Sequence, residues 1–290
     1  MKKTNMYSKI IAGTMTWGSW GEKFSKNQMI EVMNFCIDKG ITTFDHADIY
    51  GDYGTEKAFG EAFSDSGINR SDIQLISKCG IQMTNGRKNR VAHYQYDAEY
   101  IIWSVEQSLK KLQTEYLDLL LLHRPSPLMN VEAIAQAIKK LKADGKIKKF
   151  GVSNFTPSQI AMIETKTPVS ANQVEFSLTH DNPMYDGTFD NCIIHNRVAM
   201  AWSPLGKYFK EKNEQNNRIK NVFKHLEKKY DANASQLLLA FIMHHPTNSI
   251  PVVGTTKKER LEHSLQAINL HLELEDWFMM LEASKGNPVP

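Results

Sequence analysis

A closed eight-stranded parallel barrel of the (β/α)8, or TIM, type, in one domain over residues 1–290, is the fold this sequence predicts. Three observations carry the prediction. Short apolar runs alternate with longer amphipathic segments from end to end, eight times over. The intervening segments are long enough for the crossovers that parallel pairing requires. The 290 residues hold eight such units with no linker or low-complexity stretch, a length that suits a closed barrel better than an open sheet. The fingerprint G-x-G-x-x-G after a first strand, which marks an open dinucleotide-binding sheet, is absent.

The first strand is predicted over residues 10–13. Residues 27–39 then carry Met29, Ile30, Met33, Phe35 and Ile37 at helical spacing until Gly40 stops them. A strand over 41–45 precedes a helix over 55–63, with Thr55 as its expected cap. Strand and helix repeat over 73–78 and 97–112, and again over 117–122 and 131–143, where Asp144-Gly145 ends the helix. The fifth strand, 148–152, leads into a helix opening at Thr156-Pro157, a favoured cap-then-proline start. The sixth, 171–175, is followed by a weaker helix over 188–196. The seventh, 198–202, precedes a long helical region over 218–244, and the eighth, 249–253, a helix over 257–268.

A hydrophobic content of 41%, 23% charged residues and a formal charge of +3 are ordinary for a soluble domain and argue against nucleic acid or a membrane surface as partner. Cys36, Cys79 and Cys192 are scattered, with no Cys-x-x-Cys pair and no zinc spacing, which reads as thiols in a reducing cytoplasm. No metal is expected. The N-terminal charges resemble a signal n-region, but Ile10-Ile11-Ala12 is too short for an h-region.

Four polar residues stand where apolar runs give out, and they define the chemistry. Asp45 ends the second strand and Tyr50 follows in its loop; Lys78 closes the third strand and His123 the fourth. Parallel strands of a barrel all end on one face, where active sites are built, so these four are predicted neighbours. An ammonium beside Tyr50 is expected to favour the phenolate and lower its pKa from about 10, making the phenol a usable acid or base. Burying Lys78 needs a carboxylate partner, which Asp45 supplies. His123 can hydrogen-bond a reacting carbonyl oxygen.

The chain resembles the aldo-keto reductase family in the segments Phe44-Asp-His-Ala-Asp-Ile-Tyr-Gly51, Ile76-Ser-Lys-Cys79, Leu121-Leu-His-Arg-Pro125, Gly151-Val-Ser-Asn-Phe155, Ala171-Asn-Gln173, Ala201-Trp-Ser-Pro-Leu-Gly206 and Ile250-Pro-Val-Val-Gly254 with Arg260. The matches keep family order over nearly the whole chain. The resemblance implies a (β/α)8 barrel, NADP(H) as cofactor, a small carbonyl compound as substrate, and Asp45, Tyr50, Lys78 and His123 as the catalytic tetrad. Tyr50 would be the general acid, tuned by Lys78 and Asp45, with His123 orienting the carbonyl.

It also implies a cofactor site. Ser153, Asn154 and Gln173, short polar residues at strand ends, would pin the nicotinamide carboxamide. Trp202 stands where many relatives carry Tyr and would stack on the ring. Ser203, Leu205 and Gly206 match the segment around the pyrophosphate, and Gly13, Thr14 and Met15 positions near the nicotinamide ribose. Gly254, Thr255, Thr256, Lys258 and Arg260 open the last barrel helix, an anion site where Thr256, Lys258 and Arg260 suit a 2′-phosphate. His263 and Ser264 replace an acid and an amide often used on the adenine. Trp17, Trp20, Tyr53, His93, Tyr94 and Tyr96 are candidates for an aromatic wall, the basic stretch 80–96 for a lid, and His180 for a pocket contact. Two other functions fit parts of the pattern: Schiff-base aldolase chemistry on Lys78, and a non-catalytic NADP(H)-binding regulatory subunit.

Overall fold

The computed structural model describes residues 6–288. The N-terminal charges within residues 1–5, and residues 289–290 of the terminal stretch, lie outside the described residues. The described residues form ten strands: β1 (Ile11–Gly13), β2 (Thr43–Asp45), β3 (Gln74–Cys79), β4 (Ile81–Gln82), β5 (His93–Tyr94), β6 (Leu117–Leu122), β7 (Ile147–Ser153), β8 (Ala171–Glu175), β9 (Val198–Trp202) and β10 (Ile250–Val253). Eight of them close into a parallel barrel in the order β1-β10-β9-β8-β7-β6-β3-β2, the predicted fold. β4 and β5 form a separate antiparallel hairpin, Ile81 opposite Tyr94, within the stretch read as a lid.

Strand alternation explains how this barrel carries a polar mouth. Ile11, Ile76, Leu119, Leu121, Ala171, Met200 and Val252 pack together as one buried cluster inside the barrel. Side chains on a strand alternate faces, so the residue two further on faces the same way. Two residues beyond six of these apolar positions stand Gly13, Lys78, His123, Gln173, Trp202 and Gly254. The polar layer is therefore the top of the apolar stack. The other parity, including Leu75, Leu120, Leu122, Phe150 and Val152, packs outward against the helices.

Most predicted helices stand within a residue or two of expectation. Ser25 caps Lys26–Asp38 and Thr156 caps Pro157–Glu164, each in a reciprocal bond with a Gln three residues on. Three expectations need correction. Thr55 is the first residue of Thr55–Asp65 and caps nothing. The long region over 218–244 is two helices, Glu214–Tyr230 and Ala234–His244. The break arises because Asp231 turns left-handed at φ 47° and Asn233 caps the second helix reciprocally with Gln236; helical periodicity ran through both signals. The last barrel helix ends early, as Lys258–Gln266 followed by a 3₁₀ turn.

Candidate active site

The end of β3 delivers Lys78 into the barrel mouth, 1% exposed. An ammonium has three donors, and here all three are used. They reach Asp45 Oδ2 at 2.6 Å, the His46 carbonyl at 2.9 Å and the Tyr50 hydroxyl at 3.1 Å. Asp45 also accepts from Gln173 Nε2 at 2.9 Å through its other oxygen. The Tyr50 hydroxyl thus receives a hydrogen bond from a cation whose charge a carboxylate balances. Tyr50 lies in a short turn, Tyr50–Tyr53, where Gly51 and Asp52 take left-handed conformations. His123 meets the Tyr50 ring edge-on, with 6.1 Å between centroids.

The electrostatics correct one expectation. Burial is the largest influence on Tyr50 and, helped by the Asp45 charge, it outweighs the opposing pull of Lys78, so the pKa is raised. Burial first, and the Asp45 charge after it, overcome the ammonium that was expected to favour the phenolate. For Lys78, burial opposes the charged form, but Asp45 and Tyr50 prevail and its pKa is raised as well. The pair at neutral pH is a protonated phenol and a full ammonium.

His123 has its pKa held well below the usual imidazole range, first by burial and then by the charges of Lys78 and Arg124. It is a neutral ring whose Nδ1 is buried without a partner. A bare lone pair is a lesser loss than an orphaned N–H, which assigns the proton to Nε2. His46, 0% exposed, is depressed to about 3 by burial and Lys78. Its Nδ1 lies 2.8 Å from Thr14 Oγ1, so it belongs to the wall behind the site.

Asp48 and Glu56 are buried carboxyls beneath the Tyr50 turn that the sequence reading gave no role. Asp48 accepts from Ser104 Oγ at 3.2 Å and Tyr100 Oη at 3.4 Å, and Glu56 from Ser77 Oγ at 2.6 Å. Burial, with the Glu56 charge adding, pushes Asp48 up to about 7 from its ordinary 3.8. The folded state therefore binds its proton more tightly than the unfolded chain does. The destabilisation is absent below pH 4, grows as pH rises and is complete above 7. Asp48→Asn should thus leave stability near pH 4 unchanged and raise it at pH 8, by up to about 4 kcal/mol. Urea unfolding at the two pH values measures this; a gain that is the same at both removes the assignment.

The predicted carboxamide residues do gather across the mouth. Ser153 pairs with Gln173 in strand register. Asn154, left-handed at φ 61°, donates to Ser153 Oγ at 2.8 Å and accepts from the Trp202 indole nitrogen at 2.9 Å. Trp202 thus loses the hydroxyl of a Tyr but gains an N–H that fixes its ring plane. Ser203, at φ 50°, accepts from the Gly206 amide through its carbonyl at 2.8 Å, closing a tight turn with Leu205 inside it. A Cβ on Gly206 would stand 2.1 Å from Thr179 Oγ1, so the turn admits glycine alone.

Three of the cofactor candidates are engaged within the fold. Thr14 is 0% exposed, its hydroxyl and its amide both donate to the Asp45 carbonyl at 3.0 Å and its carbonyl accepts from the Trp17 amide, whereas Met15 beside it is exposed. Ser264 donates to the Arg260 carbonyl at 2.8 Å. This is the back-bonding habit of helical serine, and it removes that donor from an adenine. Lys258 is ion-paired with Glu31. The rest of the group fits an anion: Lys258–Gln266 begins with no side-chain cap, Gly254 faces open space where a Cβ would stand, and Arg260 is exposed.

The aromatic wall is mostly packing. Trp17 is 0% exposed and Tyr96 is 5%; the Tyr53 hydroxyl accepts from the Met83 amide at 2.9 Å. His93 and Tyr94 are exposed in the hairpin. Trp20 alone of the set packs on Tyr50, at 6.1 Å between rings. Arg87 lies over Tyr53 and Trp103 and donates to Gln82, so it braces the hairpin. His180 closes a tight turn against Ser177 through backbone bonds. The residue passed over is Arg124, legible only as a charge between His123 and Pro125. Among the described residues, no cluster of metal-ligand type occurs and no helix is long and apolar enough to cross a membrane.

Comparison with known proteins shows the family. Residues 9–285 match the aldo/keto reductase family. The uncharacterised oxidoreductase YcsN of Bacillus subtilis (strain 168) is 38% identical, covering 98% of this chain and 96% of that protein. A 6-dehydroglucose reductase of Agrobacterium fabrum is 30% identical over the whole of both. The thermostable aldo-keto reductase Tm1743, solved with the inhibitor epalrestat, superposes with a TM-score of 0.82 at 25% identity, covering 97% of each chain. The chain belongs to the aldo/keto reductase family of oxidoreductases.

Proposed function

We propose that this oxidoreductase reduces an aldehyde or ketone to an alcohol with NADPH, Tyr50 supplying the proton. The observation that carries the reading is the Tyr50 hydroxyl, protonated by virtue of its raised pKa and held by Lys78 at 3.1 Å. A bound nicotinamide cofactor supplies the hydride to the carbonyl carbon. Trp202 offers its ring face to the nicotinamide, and Ser153, Asn154 and Gln173 offer donors and acceptors to its carboxamide. Gln173 keeps its carbonyl oxygen free, since its NH2 group is spent on Asp45. Gly254, Thr255, Thr256 and Arg260 receive phosphate, with Arg260 the cation for a 2′-phosphate.

At the reacting end, His123 donates Nε2–H to the carbonyl oxygen and orients it. Tyr50 transfers its proton to that oxygen as negative charge develops. Lys78 stabilises the phenolate left behind, and Asp45 keeps the ammonium charged. Schiff-base chemistry is disfavoured, because a nucleophilic amine needs a lowered pKa and that of Lys78 is raised. A purely regulatory role gives the bonded Asp45, Lys78 and Tyr50, with His123 against the Tyr50 ring, no work.

The direct test follows NADPH oxidation against a panel of aldehydes and ketones, alongside calorimetric titration with NADPH and NADH. We expect carbonyl-dependent NADPH consumption, and tighter NADPH binding that Arg260→Ala weakens about tenfold while NADH binding holds. Tighter NADH binding overturns the cofactor choice, and absence of turnover with every carbonyl overturns the reading.

A further inference from the structure

We infer that Arg124 is a specificity-determining residue that selects carbonyl substrates carrying a carboxylate, that is, oxo acids. The inference rests on the reductase reading and names its substrate class.

Three features build Arg124 into the mouth. Its backbone is clamped by Tyr96, whose hydroxyl donates to the Arg124 carbonyl at 2.5 Å and accepts from its amide at 3.3 Å. The clamp depends on Gly80: a Cβ there would stand 2.0 Å from the Tyr96 ring. Pro125 follows and restricts Arg124 to extended conformations. The guanidinium carbon then stands 5.2 Å from the centroid of the Trp202 ring. Its charge acts on both Tyr50 and His123.

That charge lacks a counterion. Arg70 and Arg197 are ion-paired with Asp118 and Glu164, whereas among the described residues no carboxylate pairs with Arg124. Lys78 is balanced by Asp45 at 2.6 Å, and His123 and Tyr50 are neutral. Beside Tyr50 and His123, therefore, Arg124 is a positive charge with no carboxylate partner among the described residues, half-buried, on a side chain whose planar fork binds carboxylates through two parallel bonds. Stacking on an indole keeps the fork oriented while its N–H edge stays free. A neutral substrate leaves those donors to water; a carboxylate satisfies them and the charge together.

The test compares matched substrates with NADPH: 4-carboxybenzaldehyde against its methyl ester, and succinic semialdehyde against butanal. Wild type should favour the acids in kcat/KM by at least about tenfold. Arg124→Leu should lower kcat/KM for the acids by roughly 10–100-fold, mainly through KM, and leave the ester and butanal within about threefold. Arg124→Lys should restore part of the preference, since it keeps the charge and loses the fork. Equal losses on acid and neutral substrates, or no preference in wild type, overturn the inference. The neutral aldehydes separate the two readings: turnover that Tyr50→Phe abolishes, without any acid preference, rejects the role of Arg124 alone. No turnover of either kind rejects both.

Discussion

Tyr50→Phe should lower carbonyl reduction by about 10²–10⁴, the usual contribution of a positioned general acid, with the fold and cofactor binding intact. The variant removes one oxygen. The Tyr50 ring keeps its contacts with Trp20 and His123, and Lys78 keeps two of its three acceptors, Asp45 and the His46 carbonyl. The loss should fall on kcat, because the hydroxyl acts as charge develops on the substrate oxygen rather than on binding. The raised pKa adds a second signature. A phenol pushed above its ordinary 10 keeps its proton through neutral and mildly alkaline pH. Reduction by the wild type should therefore show no alkaline fall attributable to Tyr50 below about pH 10. Stopped-flow reduction from pH 6 to 10 measures both; a Phe variant within tenfold of wild type excludes Tyr50 as the acid.

Lys78→Met should unfold the protein more readily by about 3–5 kcal/mol, the range for breaking a buried ion pair from one side. The reason is the carboxylate left behind. Asp45 is 2% exposed, and Lys78 is its sole cationic contact among the described residues; Gln173 alone cannot replace that charge. Replacing both partners with apolar residues removes the orphan, so Asp45→Leu with Lys78→Met should recover most of the stability. The double variant should remain inactive, since nothing then holds the Tyr50 hydroxyl or stabilises its phenolate. Denaturant midpoints and NADPH turnover for the single and the double variant separate the pair's part in folding from its part in chemistry. A single variant as stable as wild type would mean that Asp45 takes up a proton in the fold at little penalty.

The pattern of strand-end residues was legible because it follows from alternation. A side-chain period of two, applied to short apolar runs, ends each inward row on one residue, and Lys78, His123, Gln173 and Trp202 are those residues. The helix over 218–244 was misread for a related reason: periodicity reports which face is apolar, not whether the backbone is continuous. Asp231 and Asn233 carried the break in capping chemistry. Thr14 and Ser264 could not be placed from sequence, because a hydroxyl's donor goes to whichever carbonyl the fold brings near.

From sequence alone, the protein's barrel class, its one polar mouth and the four side chains that meet there were determined, since each rests on local rules of spacing and strand direction. The tertiary structure decided the charge states. Whether Lys78 pulls the Tyr50 proton off or leaves it in place depends on burial and on the 2.6 Å approach of Asp45, and both are sums over the whole surroundings of a group. The same holds for Arg124, an ordinary loop cation in the sequence. Only the folded mouth shows that Lys78 has its carboxylate while Arg124, among the described residues, has none.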